Sequence, residues 1–231
     1  DGISGTEGKT GDTKEETAEA GDDLRAGSCL APGEVETAGA EHFFCQEAIS
    51  DEIWRRMDGS SYRPGCPVAV EDLRYLRVLH YDYDGKIRVG ELVANKSISD
   101  DLLSIFRRLF DARYPIEKMI LIDEYGGDDE LSSSDNNTSC FNYRMVAGTQ
   151  KLSRHALGTA IDVNPVNNPY VTTNEEGAVI CMPSNGSAYM DRSESFDHKI
   201  DEDDLCFRLF SEYGFTWGGS WYEPDYMHFT R

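Results

Sequence analysis

The stretch LRVLHYDYDGKIRV, residues 76–89, decides the fold, because apolar residues recur on both sides of a turn dipeptide. Asp84-Gly85 is one of the dipeptides that favour a two-residue β-turn with positive φ angles. Leu76 and Val78 precede it and residues 87–89 follow it, at the spacing of side chains on one face of a strand. The stretch therefore predicts an antiparallel hairpin.

Three segments around the hairpin have apolar residues at helical spacing and predict helices. Their apolar residues are Ile49, Ile53, Trp54 and Met57; Leu102, Ile105, Phe106 and Leu109; and Leu205, Leu209, Phe210 and Tyr213. Gly59 is expected to end the first helix. Ser99 is the expected N-cap of the second, which Pro115 ends, and Gly214 is the expected stop of the third.

A short apolar run at residues 119–122 suits a buried strand, and the polar stretch 126–139 after it is expected to be a loop. The acidic run at residues 128–130 within this loop is interpreted as a solvated face, with a calcium site as the alternative, although EF-hand spacing is absent. Strands and helices are mixed without a regular βαβ repeat. The sequence therefore predicts an α+β fold, with a small, mainly antiparallel sheet, flanking helices and the candidate site in a cleft on the sheet.

Residues 1–42 differ in composition from the rest of the chain. They hold 11 acidic and 3 basic side chains among many Gly, Thr and Ala residues, and almost no large apolar residue comes before Phe43. Such a segment buries too little surface to offset the entropy lost on ordering. We therefore predict a disordered acidic linker over residues 1–42, compatible with spacing from an anchor, and one folded domain over residues 43–231.

The whole chain is acidic, since 43 Asp and Glu against 22 Lys and Arg in 231 residues give a formal net charge of −21. Binding to nucleic acid needs clustered Lys and Arg, so no nucleic-acid partner is expected. No uninterrupted apolar run reaches the roughly 18 to 20 residues that span a bilayer, so no membrane span is expected. We expect a monomer with a core of its own.

Six cysteines are scattered along the chain without a CxxC pair, which disfavours a cysteine zinc site. They are Cys29, Cys45, Cys66, Cys140, Cys181 and Cys206. An even number of cysteines fits disulfides in an exported protein, and buried free thiols fit it equally well.

Two segments contain the residue types of a metal site: SRHALGTAIDVNP, residues 153–165, and DYMHF, residues 225–229. Catalytic zinc takes three protein ligands with nitrogen or oxygen donors and keeps one open position. His155, Asp162 and His228 are candidates for such a set. Taken singly, each is better explained as an ordinary structural residue.

Asp225 precedes His228 by three residues, so a tight turn would place its carboxylate beside the metal without binding it. That is where a general base acts. The HExxH and GxSxG motifs are absent, which disfavours the zincin helix and covalent serine catalysis.

The combination Ser-x-His-x-x-Gly-x-Ala-x-Asp with a later Asp-x-x-His-Phe resembles the zinc D-alanyl-D-alanine carboxypeptidases and dipeptidases of the vancomycin-resistance type. The chain looks like the branch that includes L-alanyl-D-glutamate endopeptidases, given IDVNP at 161–165, NPY at 168–170 and GFTWGGSW at 214–221. The resemblance covers roughly residues 73–231.

By this resemblance, one zinc ion per chain is held by His155, Asp162 and His228. Asp225 takes the position of the general base, where many family members have Glu. Arg144 precedes the histidine motif at the distance at which the family has an arginine. A guanidinium group there would stabilise an oxyanion or bind a substrate carboxylate. Without the motif, a surface ion pair in this acidic chain would be the favoured interpretation of Arg144.

Four more residues are candidates for substrate binding, namely Ser153, Trp217, Trp221 and Tyr222. Ser153 is alternatively an ordinary turn hydroxyl. The three aromatic residues are alternatively core residues packed beneath the site.

The resemblance implies a zinc peptidase that hydrolyses peptidoglycan stem peptides containing D-amino acids. A D-alanyl-D-alanine carboxypeptidase is expected first and an L-alanyl-D-glutamate endopeptidase is the alternative. The substrate implies a secreted or cell-envelope protein outside the cytoplasmic membrane of a bacterium. A non-catalytic wall-binding module is a further alternative, against which the presence of Asp225 and Arg144 argues, because structural zinc needs neither a base nor an oxyanion partner.

Overall fold

The computed structural model describes residues 25–146, 149–174 and 176–231. The helices in these ranges are α1 Pro32–Ala38, α2 Asp51–Met57, α3 Ser99–Asp111, α4 Asp129–Ser134 and α5 Leu205–Glu212. The strands are β1 Cys29–Leu30, β2 Cys45–Ala48, β3 Leu73–Tyr81, β4 Ile87–Asn95, β5 Ala160–Asp162, β6 Tyr170–Thr173, β7 Val179–Met182, β8 Thr216–Trp217 and β9 His228–Thr230.

The predicted hairpin is confirmed and forms the centre of the largest sheet. Strands β3 and β4 pair antiparallel, with Leu79 opposite Val89. At the turn, the Asp82 carboxylate accepts a hydrogen bond of 2.8 Å from the Lys86 N–H, and Gly85 has a φ of +75°. Short strands lie at both edges and give the order β1-β4-β3-β2.

One face of this sheet covers the main core. Leu76 and Val78 of β3 and Leu92 of β4 are at most 1% exposed and pack with apolar residues of α3 and α5. Ile161 of β5 and Phe229 of β9 belong to the same core. The large sheet therefore supports a second, three-stranded sheet of order β5-β9-β8.

The three predicted helices are confirmed as α2, α3 and α5. α5 follows Asp204, whose side chain accepts a hydrogen bond of 2.8 Å from the Cys206 N–H. Gly214, just after it, has a φ of +80°, as the predicted stop requires. In α3 the N-cap position is occupied by Ile98, and Ser99 is the first helical residue. Ser99 turns its hydroxyl back to the Lys96 carbonyl instead of capping the helix.

The predicted strand at residues 119–122 is wrong, although the run is mostly buried. It shares one backbone hydrogen bond with β4, from the Glu91 N–H to the Met119 carbonyl. Side chains accept from the next two amides, since Ile120 N–H donates to the Asn137 side chain and Leu121 N–H to the Glu91 carboxylate. The backbone groups that a ladder would use are therefore taken by side chains.

The predicted loop at residues 126–139 contains α4. Asp128 caps this helix by accepting a hydrogen bond of 3.0 Å from the Leu131 N–H. Ser132 is 1% exposed and its hydroxyl accepts from the Asn137 side chain. The acidic run that was interpreted as a solvated face thus begins a helix.

The fold begins earlier than the predicted boundary at residue 42. Strand β1 pairs with β4, and Leu30 and Val35 are buried in a cluster with Phe43 and Leu79. Few apolar residues are enough to fold this segment, because they pack on apolar side chains of the outer face of the hairpin. The rest of the predicted linker, residues 1–24, lies outside the described residues.

The predicted α+β class, with small antiparallel sheets and flanking helices, is confirmed. All six cysteines are described, and all six are free thiols, so the alternative of disulfides is not realised in this structure. Among the described residues, no helix is long and apolar enough to cross a bilayer.

Candidate metal centre

The pairing of β5 with β9 brings two candidate ligands together. Asp162 lies opposite His228 in the ladder, and Ile161 lies opposite Phe229. Because side chains alternate along a strand, the apolar pair enters the core while the polar pair faces the other side. Two residues that are 66 positions apart in the sequence thereby become neighbours.

His155 reaches the same point from a 3₁₀ turn, Arg154–Leu157. Ser153 caps this turn, and its hydroxyl accepts a hydrogen bond of 3.2 Å from the His155 N–H. Gly158 ends the turn with a φ of +67°, and a Cβ atom there would lie 2.7 Å from the Asn95 backbone nitrogen. The turn is therefore seated directly on the end of β4.

The second nitrogen of the His155 ring fixes its orientation. Nδ1 lies 2.6 Å from the carbonyl oxygen of Cys140, so Nδ1 carries the proton and donates it. Ser139, the neighbour of Cys140, exchanges two backbone hydrogen bonds with Asp162 and so helps to hold that carbonyl at the Nδ1 edge of the ring. Nε2 of His155 is left facing the centre, as in histidine ligands held by a backbone carbonyl.

Three donor atoms converge at this centre. Nε2 of His155 is 3.1 Å from Oδ2 of Asp162 and 3.2 Å from Nδ1 of His228, and Nδ1 of His228 is 2.9 Å from Oδ1 of Asp162. Bonds of about 2.0 to 2.1 Å at tetrahedral angles separate zinc ligands by about 3.3 Å. Two imidazoles and one carboxylate, all buried, therefore fit a zinc ion.

The charges of the three residues also fit a cation. Burial opposes ionisation of Asp162, but His155 and His228 hold the pKa of this carboxyl well below its usual range. Burial likewise opposes a charge on His228, but the hydrogen bond and the charge of Asp162 raise its pKa above the ordinary value. The pocket of three side chains thus favours positive charge at its centre.

Asp225 lies beside the three residues on the turn that leads into β9. Its carbonyl accepts from the His228 N–H, and its own N–H donates to the Gly218 carbonyl. A Cβ atom at Gly218 would lie 2.6 Å from the Asp225 carbonyl oxygen and 3.3 Å from the His228 Cβ. Only glycine therefore allows this close approach.

The Asp225 carboxylate is held in an unusual state. Its Oδ1 is buried and has no hydrogen-bond partner among the described residues. Burial raises the pKa of Asp225 to about 7; the charges of Asp162 and Asp129 act in the same direction, while His228 and Arg144 oppose them. A carboxylate poised near neutral pH can take and return a proton.

Arg144 is also at the site, on a segment next to the His155 turn. Its carbonyl accepts from the Ser153 N–H. One of its terminal nitrogens, Nη2, lies 2.9 Å from a carboxylate oxygen of Asp129, while its Nε is buried without a hydrogen-bond partner in the described part of the chain.

Comparison with known families agrees with this geometry. Residues 147–231 match the family described as D-alanyl-D-alanine carboxypeptidase. The match confirms the resemblance to the zinc D-alanyl-D-alanine carboxypeptidases. The matched segment contains all three ligand candidates and Asp225, whereas Arg144 and the central hairpin precede it. The matched family supports the prediction that this chain is a metallopeptidase. Neither the curated proteins nor the solved structures gave a significant match.

The other residues predicted for this site differ in position. Trp217 of β8 is 8% exposed, packs edge-on against Phe207 and donates its indole N–H to the Tyr226 carbonyl. Its side chain therefore anchors β8 in the core. Trp221 is 43% exposed and its ring lies 5.3 Å from that of His228. Tyr222 is fully exposed. Trp221 is therefore the aromatic residue that borders the metal centre.

Three contributors to the site were missed from the sequence. The Cys140 carbonyl orients His155, Gly218 makes room for Asp225, and Asp129 pairs with Arg144. Gly218 lies in the glycine-rich segment before the last motif, which was a usable signal. Every residue has a backbone carbonyl, so the sequence cannot single out that of Cys140. The acidic run around Asp129 is typical of an exposed surface.

Proposed function

We propose that this chain is a zinc-dependent peptidase that acts on D-amino-acid-containing stem peptides of peptidoglycan and removes the terminal D-alanine. The observation that carries the proposal is the convergence of three buried ligand atoms beside a buried carboxylate oxygen that has no partner in the described chain. A structural zinc site would not need that carboxylate.

His155, Asp162 and His228 would hold the zinc ion and leave one coordination position open. A zinc ion held there supplies a Lewis acid that polarises the scissile carbonyl and makes a water molecule more acidic. The Cys140 carbonyl keeps His155 in the tautomer that presents Nε2. Asp162 is fixed from both edges of β5, by Ser139 on one side and His228 on the other.

Asp225 would act as the general base. Its buried Oδ1 accepts the proton of the attacking water, and the same oxygen returns the proton to the leaving amine. In the metal-free chain burial raises the pKa of Asp225, and a more basic carboxylate is a better proton acceptor.

Arg144 would stabilise the negative charge that develops on the carbonyl oxygen. Its Nε–H is buried and has no acceptor among the described residues, so it is available for that oxygen. Donors that are already in place when charge develops lower the barrier most.

Removal of D-alanine is favoured over cleavage after L-alanine because the matched family is described by the former activity. Such a substrate places the protein outside the cytoplasmic membrane of a bacterium, and we propose that it acts there as a monomer. Trp221, exposed beside His228, would line the substrate path.

The test is digestion of muropeptides by protein whose zinc content has been measured, with and without chelator. Mass spectrometry of the products identifies the cleaved bond. We expect one zinc per chain and zinc-dependent loss of a terminal D-alanine. A cut after L-alanine would replace the carboxypeptidase by the endopeptidase, and zinc binding without cleavage would favour a wall-binding module.

Variants separate the roles of the side chains. His155→Ala should lose both zinc and activity. Asp225→Asn should keep one zinc and lose at least about a thousandfold in kcat, because the base is removed without disturbing the ligands. Glu202→Gln, the same kind of change at an exposed position, is the control and should behave as wild type. Near-normal turnover in Asp225→Asn would reject the proposed base.

A further inference from the structure

We propose that Asp129 is a positioning residue that holds the Arg144 guanidinium in the orientation needed for the reaction. This inference rests on the proposed function and assigns a role to a residue that the sequence pattern left on the surface. Asp129 itself would not touch the substrate. It would act through Arg144.

The contact is specific and partly shielded from solvent. Asp129 Oδ2 lies 2.9 Å from Arg144 Nη2, and it is the one ion-pair partner of Arg144 in the described part of the chain. The Arg144 side chain is 23% exposed and that of Asp129 is 41% exposed. Charge-assisted hydrogen bonds to a planar guanidinium fix its direction as well as its place.

The contact of Nη2 with Asp129 fixes the direction in which the other N–H groups of the Arg144 guanidinium point. Nε is buried and finds no acceptor among the described residues. A buried donor without a partner is costly, so folds retain one mainly where an incoming group satisfies it. With Nη2 bound to Asp129, the Nε–H is a buried donor that an incoming oxygen would satisfy.

Asp129 is itself held firmly. It is the first residue of α4, whose N-cap Asp128 binds the Leu131 N–H. The next residue, Glu130, accepts a hydrogen bond of 3.0 Å from the Ser184 N–H, which ties α4 to the segment after β7. Because Asp129 belongs to α4, the fixed position of this helix also fixes the carboxylate that binds Arg144.

Arg144 is connected to the metal ligands through its backbone. Its carbonyl accepts from the Ser153 N–H, and the Ser153 hydroxyl caps the turn that carries His155. The Arg144 side chain is thus held by α4, and its backbone is held by the turn that carries His155.

The first arm of the test needs no catalysis. In metal-free protein, NMR of arginine Nε–H groups should show a slowly exchanging Arg144 signal, assigned by its loss in Arg144→Lys. We expect Asp129→Asn to speed the exchange of this proton at least about tenfold, because the anchor is lost. Asp128→Asn is the matched control, since Asn also caps helices and the charge change is the same. Equal exchange in wild type and Asp129→Asn would overturn the proposal.

The second arm is a double-mutant cycle on stem-peptide hydrolysis. Asp129→Asn should lower kcat about 10- to 100-fold with KM changed less than about threefold, and Asp129→Glu should recover part of the loss. In an Arg144→Ala background, Asp129→Asn should cost nothing further. Independent losses at the two positions would show that Asp129 does not act through Arg144. If wild type itself cleaves nothing, the proposed function fails, while the NMR arm still decides whether Asp129 holds Arg144.

Discussion

At the residue scale, the site contains polar atoms that the described chain leaves unsatisfied. Oδ1 of Asp225 and Nε of Arg144 are both buried without a hydrogen-bond partner among the described residues. Two of the candidate metal ligands are fully paired, as with Nδ1 of His155 and both carboxylate oxygens of Asp162. A fold optimised only for stability would satisfy or remove such groups.

The raised pKa of Asp225 predicts a pH-dependent cost in the metal-free protein. Folding moves this pKa from 3.8 to about 7, so the folded state keeps a proton that the unfolded chain releases. The free energy of unfolding therefore loses nothing through Asp225 below about pH 4, and this loss grows as the pH rises through about 7. Asp225→Asn cannot ionise and should avoid the loss, by a few kcal/mol at pH 8.

Urea unfolding with chelator at pH 4 and pH 8 checks this. The gain in unfolding free energy from Asp225→Asn should be small at pH 4 and large at pH 8. Glu202→Gln, at an exposed position, should give no such difference. The same gain at both pH values would contradict a raised pKa at Asp225.

Gly218 predicts a second effect of a single residue. Its missing side chain allows contact with the Asp225 carbonyl and the His228 Cβ, so Gly218→Ala must push these residues apart. We expect weaker zinc binding by about tenfold or more and a loss of activity, since displaced ligands no longer match the metal. Zinc affinity is measured by competition with a chromogenic chelator.

Gly33→Ala is the control for Gly218→Ala. Gly33 lies in α1 with open space around its Cβ position, so alanine there should leave zinc binding unchanged and stabilise the protein slightly. Equal zinc affinity in the two alanine variants would show that the close approach at Gly218 does not position the ligands.

At the scale of elements, the metal centre depends on pieces that are too short to be stable alone. β5 and β9 have three residues each, and the His155 turn has four. They are held by tertiary contacts, since Ile161 and Phe229 are fully buried in the main core and Gly158 is seated against β4. The precision of the site thus comes from the central hairpin beneath it.

A buried carboxylate joins three elements on the other face of that hairpin. Glu91 of β4 is 1% exposed and accepts hydrogen bonds from both terminal nitrogens of Arg56 in α2, from the Tyr75 hydroxyl of β3 and from the Leu121 N–H. Glu91→Ala would leave these donors without an acceptor. We expect it to lower the free energy of unfolding by about 3 to 5 kcal/mol, measured by urea denaturation.

Glu124 provides the matched control for Glu91, because it binds the same Arg56 from a position that is 51% exposed. Glu124→Ala should cost less than about 1 kcal/mol, since water replaces the lost partner. A similar cost for both variants would mean that burial of Glu91 adds nothing.

At the scale of the whole molecule, the described fold extends from the N-terminal strand β1 to the C-terminal strand β9. β1 and α1 cover the outer face of the hairpin through Leu30 and Val35, which are 4% and 7% exposed. The C-terminal strand carries His228. Residues 29–42, which precede Phe43, are therefore part of the folded unit that supports the site.

Two shortened chains test this extent. A chain of residues 43–231 should unfold more easily than one of residues 25–231 by about 3 to 6 kcal/mol, because Leu30 and Val35 each contribute roughly 1.5 to 3 kcal/mol by burial. Both chains lack residues 1–24, so the difference reports residues 25–42 alone. Equal stability in urea would restore the predicted boundary at residue 42.

The sequence alone determined the features that depend on local spacing. The Asp84-Gly85 turn with its flanking alternation fixed the hairpin, and periodic apolar residues fixed α2, α3 and α5. The resemblance of the two motifs to a zinc peptidase family pointed to His155, Asp162 and His228, which the structure brings together. Turn geometry and side-chain periodicity act over a few residues, and a motif keeps its residues wherever they meet.

Only the tertiary structure decided what depends on distant neighbours. The run at residues 119–122 is irregular because the Asn137 and Glu91 side chains accept hydrogen bonds from its amides. Residues 29–42 are folded because the hairpin offers Leu30 and Val35 an apolar face. Trp217 became core and Trp221 remained exposed, although both lie in one glycine-rich stretch. Burial and pairing are set by what packs against a residue, and that partner is often far away in the sequence.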